Sequence, residues 1–396
     1  MSDLHDNETT GGVLAGLRVL DVSLLGPAIL AQQLADLGAD VVKVEPPGGD
    51  HVRKVGWPII DGAALMHWHV NRGKRSIILD LKTKAGIETF IALVKKADIL
   101  IEGMRPGALS RRGLTWERLS AENPRLVYCS ISGFGSTGPL AQLATHGAGF
   151  DAWAGILAPQ IDENGTPHFP ERRTPIGYFA GSLWGAIGVL AGVIRARATG
   201  KGYHFEISQA GAAAAISAMA LEAQRYVDRR NASGISETDD KVGSNRLRSS
   251  VRLAFYRAKD GYVLFMATEQ KFWRNFCTAV SRPDLFAAHP GKGDYDQDYG
   301  NEVLRGELAA LFKERTMAEW VELGLASDFA VVQAHTQKTL LQDAHFKASM
   351  AWLPEGEHPC DLLATPIMTL GEPPAIVHRA PKAGENTETV LKEWLE

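Results

Sequence analysis

Cysteine is scarce in this sequence of 396 residues. The three cysteines, Cys129, Cys277 and Cys360, are far apart, and no two of them form a CxxC pair. A disulfide-stabilised secreted scaffold is therefore excluded, and the pattern predicts a reducing, cytoplasmic location. His67 and His69 form an isolated HxH motif without a clear carboxylate or cysteine companion, so we predict no metal site.

The sequence also lacks a dominant charge and a leader. Its net charge is −4 and its pI is about 6.3, which provides no global field to attract nucleic acid or an anionic membrane. Residues 1–12 lack the basic and apolar regions of a signal peptide, and the Ala-rich stretch 210–220 is too short to span a bilayer. A GxSxG nucleophile elbow is absent. We therefore expect a soluble protein that binds neither nucleic acid nor membranes.

The clearest pattern that is present lies in residues 16–50. An apolar run around Val19 and Val22 ends at a Gly–Pro turn, a helical pattern follows as far as Gly38, and a second apolar run spans 41–44. A βαβ unit of this kind indicates a parallel sheet, and its first turn places a helix N-terminus where an anion can bind. The block lacks the GxGxxG fingerprint of dinucleotide-binding proteins, so it predicts a Rossmann-like fold and nothing more specific.

Strand-like and helical patterns alternate as far as about residue 220. Strands are predicted at 77–81, 99–101 and 126–131, and helices at 86–97 and 178–197. Four glycines spaced by three and four residues lie near one face of the second of these helices, which predicts close packing against a neighbour. They are Gly181, Gly185, Gly188 and Gly192.

Composition changes after this region, and the change suggests the domain organisation. Residues 225–252 are rich in charge, Ser, Gly and Asn and resemble a linker or mobile loop. A strand-like segment at 253–267, which alternates around a turn at 259–261, and amphipathic helical patterns at 272–280 and 317–325 follow. We expect a mixed α/β fold with a large Rossmann-like domain at 1–224, a small α+β domain at 225–335, and a segment at 336–396 that returns to the large domain.

Several longer motifs closely resemble the class III CoA-transferases, a family that includes formyl-CoA-type transferases and alpha-methylacyl-CoA racemases. Besides residues 16–50, they are NRGKRSIILDLK at 71–82, IEGMRPGALSRRGLTWERL at 101–119, NPRLVYCSISGFGSTGPLA at 123–141, TGKGYHFEIS at 199–208 and APKAGENTETVL at 380–391. The resemblance implies a dimer of interlocked open rings. It also implies acyl-CoA and a carboxylic acid as substrates, with CoA as substrate rather than a bound cofactor.

The resemblance implies a set of CoA-binding positions. CoA carries several phosphates, which need cations or helix N-termini, and an adenine, which needs apolar surface. The resemblance places Leu79, Lys82, Met104 and Arg111 along it. Arg105, which is next to Met104, and the candidate cation Lys43 complete the expected set. Ser132 stands where some transferases carry a lysine, so that phosphate contact is expected to be missing.

The catalytic pattern of the family is incomplete in this chain. The resemblance places an aspartate nucleophile where Tyr178 stands, and a phenol cannot form the mixed anhydride. The histidine used by racemases matches His146, although Gly147 follows it instead of aspartate, and its carboxylate partner matches Glu269. Tyr178 could serve as an acid, but its ordinary pKa of about 10 suits that role poorly. Asp151 is the nearest alternative carboxylate in sequence, at a spacing that does not match.

Three functions therefore stay open. The first is a CoA-transferase subunit whose nucleophile is supplied by a homologous partner chain. The protein is then expected to form either a homodimer or a heteromer with that homologous chain. The second is an acyl-CoA racemase that uses His146 and Glu269, with Tyr178 in an unusual role. The third is a non-catalytic CoA-thioester binder. Leu24 and Leu25 stand where transferases often place a glutamine, which favours an apolar acyl group over a small dicarboxylate.

Overall fold

The first apolar segments of the chain form the centre of a parallel sheet. The structure, a computed structural model, describes residues 11–232, 247–353, 357–368, 370 and 375–396. Within them, six strands pair in the order β10-β7-β6-β1-β2-β5, and every pair is parallel. The mixed α/β prediction is confirmed.

The strands are β1 Arg18–Val22, β2 Asp40–Glu45, β3 Ile59–Ile60, β4 Ala63–Ala64, β5 Lys74–Ile78, β6 Ile99–Glu102, β7 Val127–Ser132, β8 Gln160–Ile161, β9 Pro167–His168, β10 Tyr203–Ser208, β11 Leu253–Arg257, β12 Tyr262–Met266 and β13 Val331–Gln333. The helices are α1 Gly26–Asp36, α2 Leu65–Asn71, α3 Lys84–Val94, α4 Trp116–Glu122, α5 Gly147–Trp153, α6 Ile176–Thr199, α7 Gln209–Ile216, α8 Ala218–Ala232, α9 Gln270–Ala279, α10 Pro283–Ala288, α11 Glu302–Phe312, α12 Met317–Ser327, α13 Gln337–Leu340, α14 Ala344–Ser349 and α15 Thr387–Leu395. Short 3₁₀ turns span His51–Lys54 and Ser110–Arg112.

The chain separates into two units. The first comprises residues 1–217 and 350–396, and the second comprises residues 218–349. The second unit has an antiparallel sheet in the order β11-β12-β13, covered by an aromatic core that includes Trp273, Phe312 and Trp320. The boundaries predicted from the sequence lie between residues 224 and 225 and between residues 335 and 336. They differ from those of the structure because α8, α13 and α14 belong to the second unit.

The predicted linker at 225–252 is wrong at its beginning, where α8 extends to Ala232. Its segment LEAQRYVDRR consists mostly of good helix formers, and the charge that suggested a loop lies on an exposed helix. Residues 233–246 lie outside the described part of the chain. The C-terminal segment lies on the first unit, where the Asn386 side-chain oxygen accepts from the Ser76 backbone N–H at 2.9 Å.

Helix α6 packs through its glycine face. By length and composition it could cross a membrane, with a mean hydropathy of 1.6. A Cβ added at Gly192 would lie 2.6 Å from Cγ1 of Val127 in β7, and one at Gly185 would overlap Leu30 of α1. These close approaches seat α6 against the sheet, so we interpret it as a core helix.

We expect Gly192→Val to lower the free energy of unfolding by about 1–3 kcal/mol, because the added methyl groups overlap the buried Val127 side chain. Ala191→Val is the matched control. Ala191 is exposed on the same helix, so its replacement should cost no more than about 0.7 kcal/mol of helix propensity. Urea denaturation measures both, and equal losses would contradict the packing described for α6.

Candidate active site

The first unit has a crevice at the point where its strand order reverses. From β1, the chain passes to β2 and β5 on one side, and then to β6, β7 and β10 on the other. The loops that follow β1 and β6 therefore meet at the carboxyl edge of the sheet, where open α/β sheets bind ligands. They approach closely, since a Cβ added at Gly103 would lie 2.5 Å from Cβ of Ser23.

One cavity in this crevice, the Tyr178 cavity, has a volume of about 240 Å³. Its lining is mainly apolar and contains no aspartate or glutamate among the residues that the structure describes. The polar side chains in the lining are those of His51, Arg105, Ser132, Thr145, His146, Tyr178 and Gln209. The apolar side chains are contributed by Leu24, Leu25, Pro27, Met104, Pro106, Ile131, Phe134, Ala141, Leu143, Ala144 and Phe150.

The turn into α1 is strained where it forms the wall of this cavity. Leu25 has φ 54° and ψ −127°, a conformation that favours glycine. Such a residue costs about 1–3 kcal/mol and is typical of functional sites. Ser182 of α6 donates to the Gly26 carbonyl at 2.8 Å, which ties the turn to α6.

Tyr178 lies in the first turn of α6, next to this strained turn. Burial raises the pKa of its phenol, and the Asp151 charge raises it further, although a hydrogen bond from the Gly147 backbone N–H and the nearby Arg173 oppose this. The phenol is therefore neutral at neutral pH and is a weaker acid than free tyrosine. An acid–base role for Tyr178 loses support from this environment.

Asp151 caps α6 and does not face the cavity. The carboxylate is 1 % exposed, and Oδ1 accepts from the Gly177 backbone N–H at 2.7 Å. A carboxylate at a helix N-terminus is stabilised by the helix dipole. Asp151 is also absent from the residues that line the Tyr178 cavity, so its place is that of a structural cap.

A second cavity, the Lys82 cavity, adjoins the first and also measures about 240 Å³. Three side chains, Leu24, His51 and Met104, line both cavities. The sequence predicted three residues of the Lys82 cavity, namely Leu79, Lys82 and Met104, and the structure brings them together. Its wall combines apolar surface from the ends of β1, β2 and β5 with the cations Lys82 and Arg112 and the carboxylates Glu45, Asp50 and Asp80. Glu45 and Asp50 are paired with Arg53 and Lys43.

Lys43, expected among the CoA-binding residues, is buried beneath this crevice. Its Nζ lies 3.0 Å from Oδ2 of Asp50 and donates to the Ser23 carbonyl at 2.7 Å. Both charged side chains are 1 % exposed. The lysine charge is therefore neutralised inside the protein, where it joins the loops that follow β1 and β2.

The other predicted residues are distributed more widely. Arg105 lines the Tyr178 cavity, whereas Arg111 is exposed and donates to the Pro106 carbonyl at 3.3 Å. His146 lines the Tyr178 cavity as the N-cap of α5. Glu269 is the N-cap of α9 in the second unit, where its Oε2 accepts from Oγ1 of Thr268 at 2.9 Å. The pairing of His146 with Glu269 stays a prediction.

Two sequence motifs lack the structural setting that their usual functions require. Residues 133–138 spell GxGxxG after β7, but the next helix, α5, begins only at Gly147. The HxH pair lies in α2, where burial lowers the pKa of both His67 and His69 to about 4. Across the described ranges, no cluster of three or more His, Cys, Asp or Glu residues could hold a metal ion.

Sequence reasoning missed several polar residues of the crevice. They include His51, Gln209 and Asp50, each of which comes after a strand of the parallel sheet. Carboxyl ends of parallel strands meet at one edge, so position directly after a strand was the available signal. It could not be used for Gln209 because β10 itself was not predicted.

The fold and crevice define an α/β protein with a ligand site at the switch point of a parallel sheet. Residues 14–387 match the model of CoA-transferase family III. The chain therefore belongs to this family, as its motifs indicated.

Its relatives include both reaction types of the family. The chain is 31% identical to the succinyl-CoA–L-malate CoA-transferase beta subunit of Chloroflexus aurantiacus, over 98% of this chain and 96% of that protein. It is 29% identical to the alpha subunit, over 97% and 89%, and 28% identical to human alpha-methylacyl-CoA racemase, over 96% and 93%. A CAIB/BAIF family protein from Brucella suis has a similar structure, with a TM-score of 0.74, 27% identity and coverage of 97% and 99%.

We expect Lys43→Met to lower the free energy of unfolding by about 3–5 kcal/mol, because it leaves the Asp50 carboxylate buried without a cation. Lys84→Met, at a lysine that is 90% exposed, is the control and should change stability by no more than about 0.5 kcal/mol. Urea denaturation distinguishes the two. If Lys43→Met kept its stability but lost affinity for CoA, Lys43 would instead be a contact to the ligand.

Proposed function

We propose that this chain binds acyl-CoA in the crevice and takes part in CoA transfer between carboxylic acids, as a subunit beside a homologous chain that supplies the nucleophile. The observation that carries the proposal is the lining of the Tyr178 cavity, where the described residues include no carboxylate. CoA thioesters are the substrates of the family. The nucleophilic carboxylate would therefore have to come from the homologous partner chain.

The chemistry explains why the tyrosine matters. In transfer through a mixed anhydride, a carboxylate oxygen attacks the thioester carbonyl and CoA thiolate leaves; the thiolate then attacks the anhydride to give an enzyme thioester and the free acid. A phenol whose pKa is raised by burial is neither ionised nor able to form the anhydride. The Tyr178 cavity is suited to holding an apolar acyl group instead.

A homologous partner is supported by two observations. Relatives at similar identity are named as alpha and beta subunits of one CoA-transferase. Helix α6 also exposes a row of large apolar side chains opposite its glycine face, namely Phe179, Leu183, Trp184, Ile187 and Ile194. Such a face is typical of a surface that another chain covers. We propose that a second family III chain covers it, in the interlocked-ring arrangement.

The racemase alternative is favoured by His146, which lines the Tyr178 cavity. An imidazole at this position could remove and return the α-proton of an acyl-CoA. The similarity to alpha-methylacyl-CoA racemase supports the same reading. It requires Glu269 or another group to assist, and no phenolate is available from Tyr178.

We propose that the Lys82 cavity holds the nucleotide end of CoA. Lys82→Ala should raise the Kd for CoA about tenfold, because a charge-assisted contact to phosphate is lost. Lys84→Ala removes an equal charge two residues away, outside the cavity, and should leave the Kd unchanged. Isothermal titration calorimetry with CoA measures both. Equal Kd values for the two variants would exclude this location.

Transfer is tested by isotope exchange between 2-phenylpropanoyl-CoA and its ¹³C-labelled free acid, followed by NMR in deuterated water. The chain purified alone should show no label exchange, whereas its complex with a homologous family III chain of the same organism should exchange label. Tyr178→Phe within the complex should keep the rate within about threefold, because the phenol is not the nucleophile.

The same spectra distinguish the alternatives. Loss of the α-proton signal without added acid, abolished by His146→Ala, would establish racemase chemistry and overturn the transferase proposal. Label exchange at a normal rate by a homodimer of this chain would remove the need for a partner. Binding of acyl-CoA without either reaction, alone and in the complex, would leave a thioester-binding protein.

A further inference from the structure

The Tyr178 ring occupies a slot with glycine on both sides. A Cβ added at Gly26 of α1 would overlap the Tyr178 ring, and one added at Gly147 of α5 would lie 2.9 Å from Cε2 and 3.0 Å from Cζ of the same ring. Real Cβ atoms do not approach other heavy atoms this closely, because packed interiors leave no slack for overlap. Any side chain at either glycine is therefore incompatible with the tyrosine as it is placed.

The ring also has little freedom to move away. Phe150 contacts it edge to face, with ring centroids 5.9 Å apart and planes at 67°. Phe150 is itself 2 % exposed, and the backbone of Gly26 is tied to α6 by the Ser182 hydroxyl. Contacts from Gly26 of α1 and from Gly147 and Phe150 of α5 thus restrict the ring on more than one side.

His146 is coupled to this slot through the backbone. It is the N-cap of α5, with extended φ and ψ angles of −133° and 176°, and Gly147 is the first residue of the helix. The imidazole lines the Tyr178 cavity, but no side-chain hydrogen bond caps the helix from His146. Gly147, at the start of α5, meets Tyr178 in two ways: its Cα side faces the ring, and its backbone N–H donates a hydrogen bond to the phenol oxygen.

We propose that Tyr178 is a positioning residue for His146. Its ring, seated between Gly26 and Gly147, holds the start of α5 so that the imidazole faces the cavity. We assign this role to the contacts of the ring and not to the hydroxyl, although the phenol oxygen accepts a hydrogen bond from the Gly147 backbone N–H. A side chain at residue 147 would overlap the ring, which is why we expect glycine there. This role does not depend on which reaction the cavity supports.

The steric part is tested by a double-mutant cycle on thermal unfolding. Gly147→Ala should lower the unfolding midpoint by roughly 3–8 °C in the wild-type background, as expected for overpacking. In a Tyr178→Ala background, the same change should have almost no effect, because the atoms it meets are gone. An equal loss in both backgrounds would overturn the proposed contact.

The positioning part needs a reporter on the histidine itself. The ¹H–¹³C correlation of the imidazole Cε1–Hε1 groups, with the His146 peak assigned by His146→Gln, provides one without turnover. Tyr178→Ala should move the His146 peak toward the shift of a free histidine, while other histidine peaks stay in place. Tyr178→Phe, which keeps the ring, should leave the His146 peak close to its wild-type position.

Each remaining outcome contradicts the proposal in a different way. An unchanged His146 peak in Tyr178→Ala would make the ring a packing element without influence on the imidazole. A displaced peak in Tyr178→Phe would assign the role to the hydroxyl. Neither readout uses CoA transfer, so failure of the transferase proposal leaves this test intact.

Discussion

The close packing of α6 determines where the crevice lies and what it contains. Glycines on one face let the helix approach α1 and β7 more closely than side chains would permit, because a Cβ at Gly185 or Gly192 would overlap Leu30 or Val127. The N-terminus of α6 is thereby brought to the turn that opens α1. Tyr178 and the Asp151 cap meet there, at the carboxyl edge of the sheet.

Buried ion pairs hold the loops around this edge. Lys43 pairs with Asp50, and Lys74, fully buried, lies 2.8 Å from Asp21 and donates to the Ala28 carbonyl at 2.9 Å. Burial lowers the Lys74 pKa to about 8. The Lys74–Asp21 pair joins β5 to β1, which are distant in sequence, whereas Lys43 lies in β2 and pairs with Asp50 in the loop that follows this strand. Burying a charge is costly unless it is paired, which makes the partners mutually dependent and the crevice well defined.

Much of the fold could be predicted because its signals are local. The βαβ unit at 16–50, the glycine-bearing helix and the hairpin of β11 and β12 all follow from periodicity and turn residues within short windows. The segment at 225–232 was misread because charge and small polar residues are typical of both loops and exposed helices. Motif resemblance indicated the family, and the matching model across residues 14–387 bears this out.

The site was predictable only in part. Leu79, Lys82 and Met104 do line one cavity, but a lysine's sequence position does not show whether its charge faces a ligand or a buried aspartate, and Lys43 proved to be paired with Asp50. Likewise the motif resemblance predicts two separate departures from the family pattern, at residues 147 and 178, and the sequence gives no reason to connect them. By itself the sequence indicated most of the elements and the family, and it led to the prediction that the family's nucleophile is missing, because these inferences depend on residue identity and local spacing. The tertiary structure alone decided which charges are neutralised and which glycine faces which ring, because these depend on three-dimensional contacts that local residue patterns do not specify.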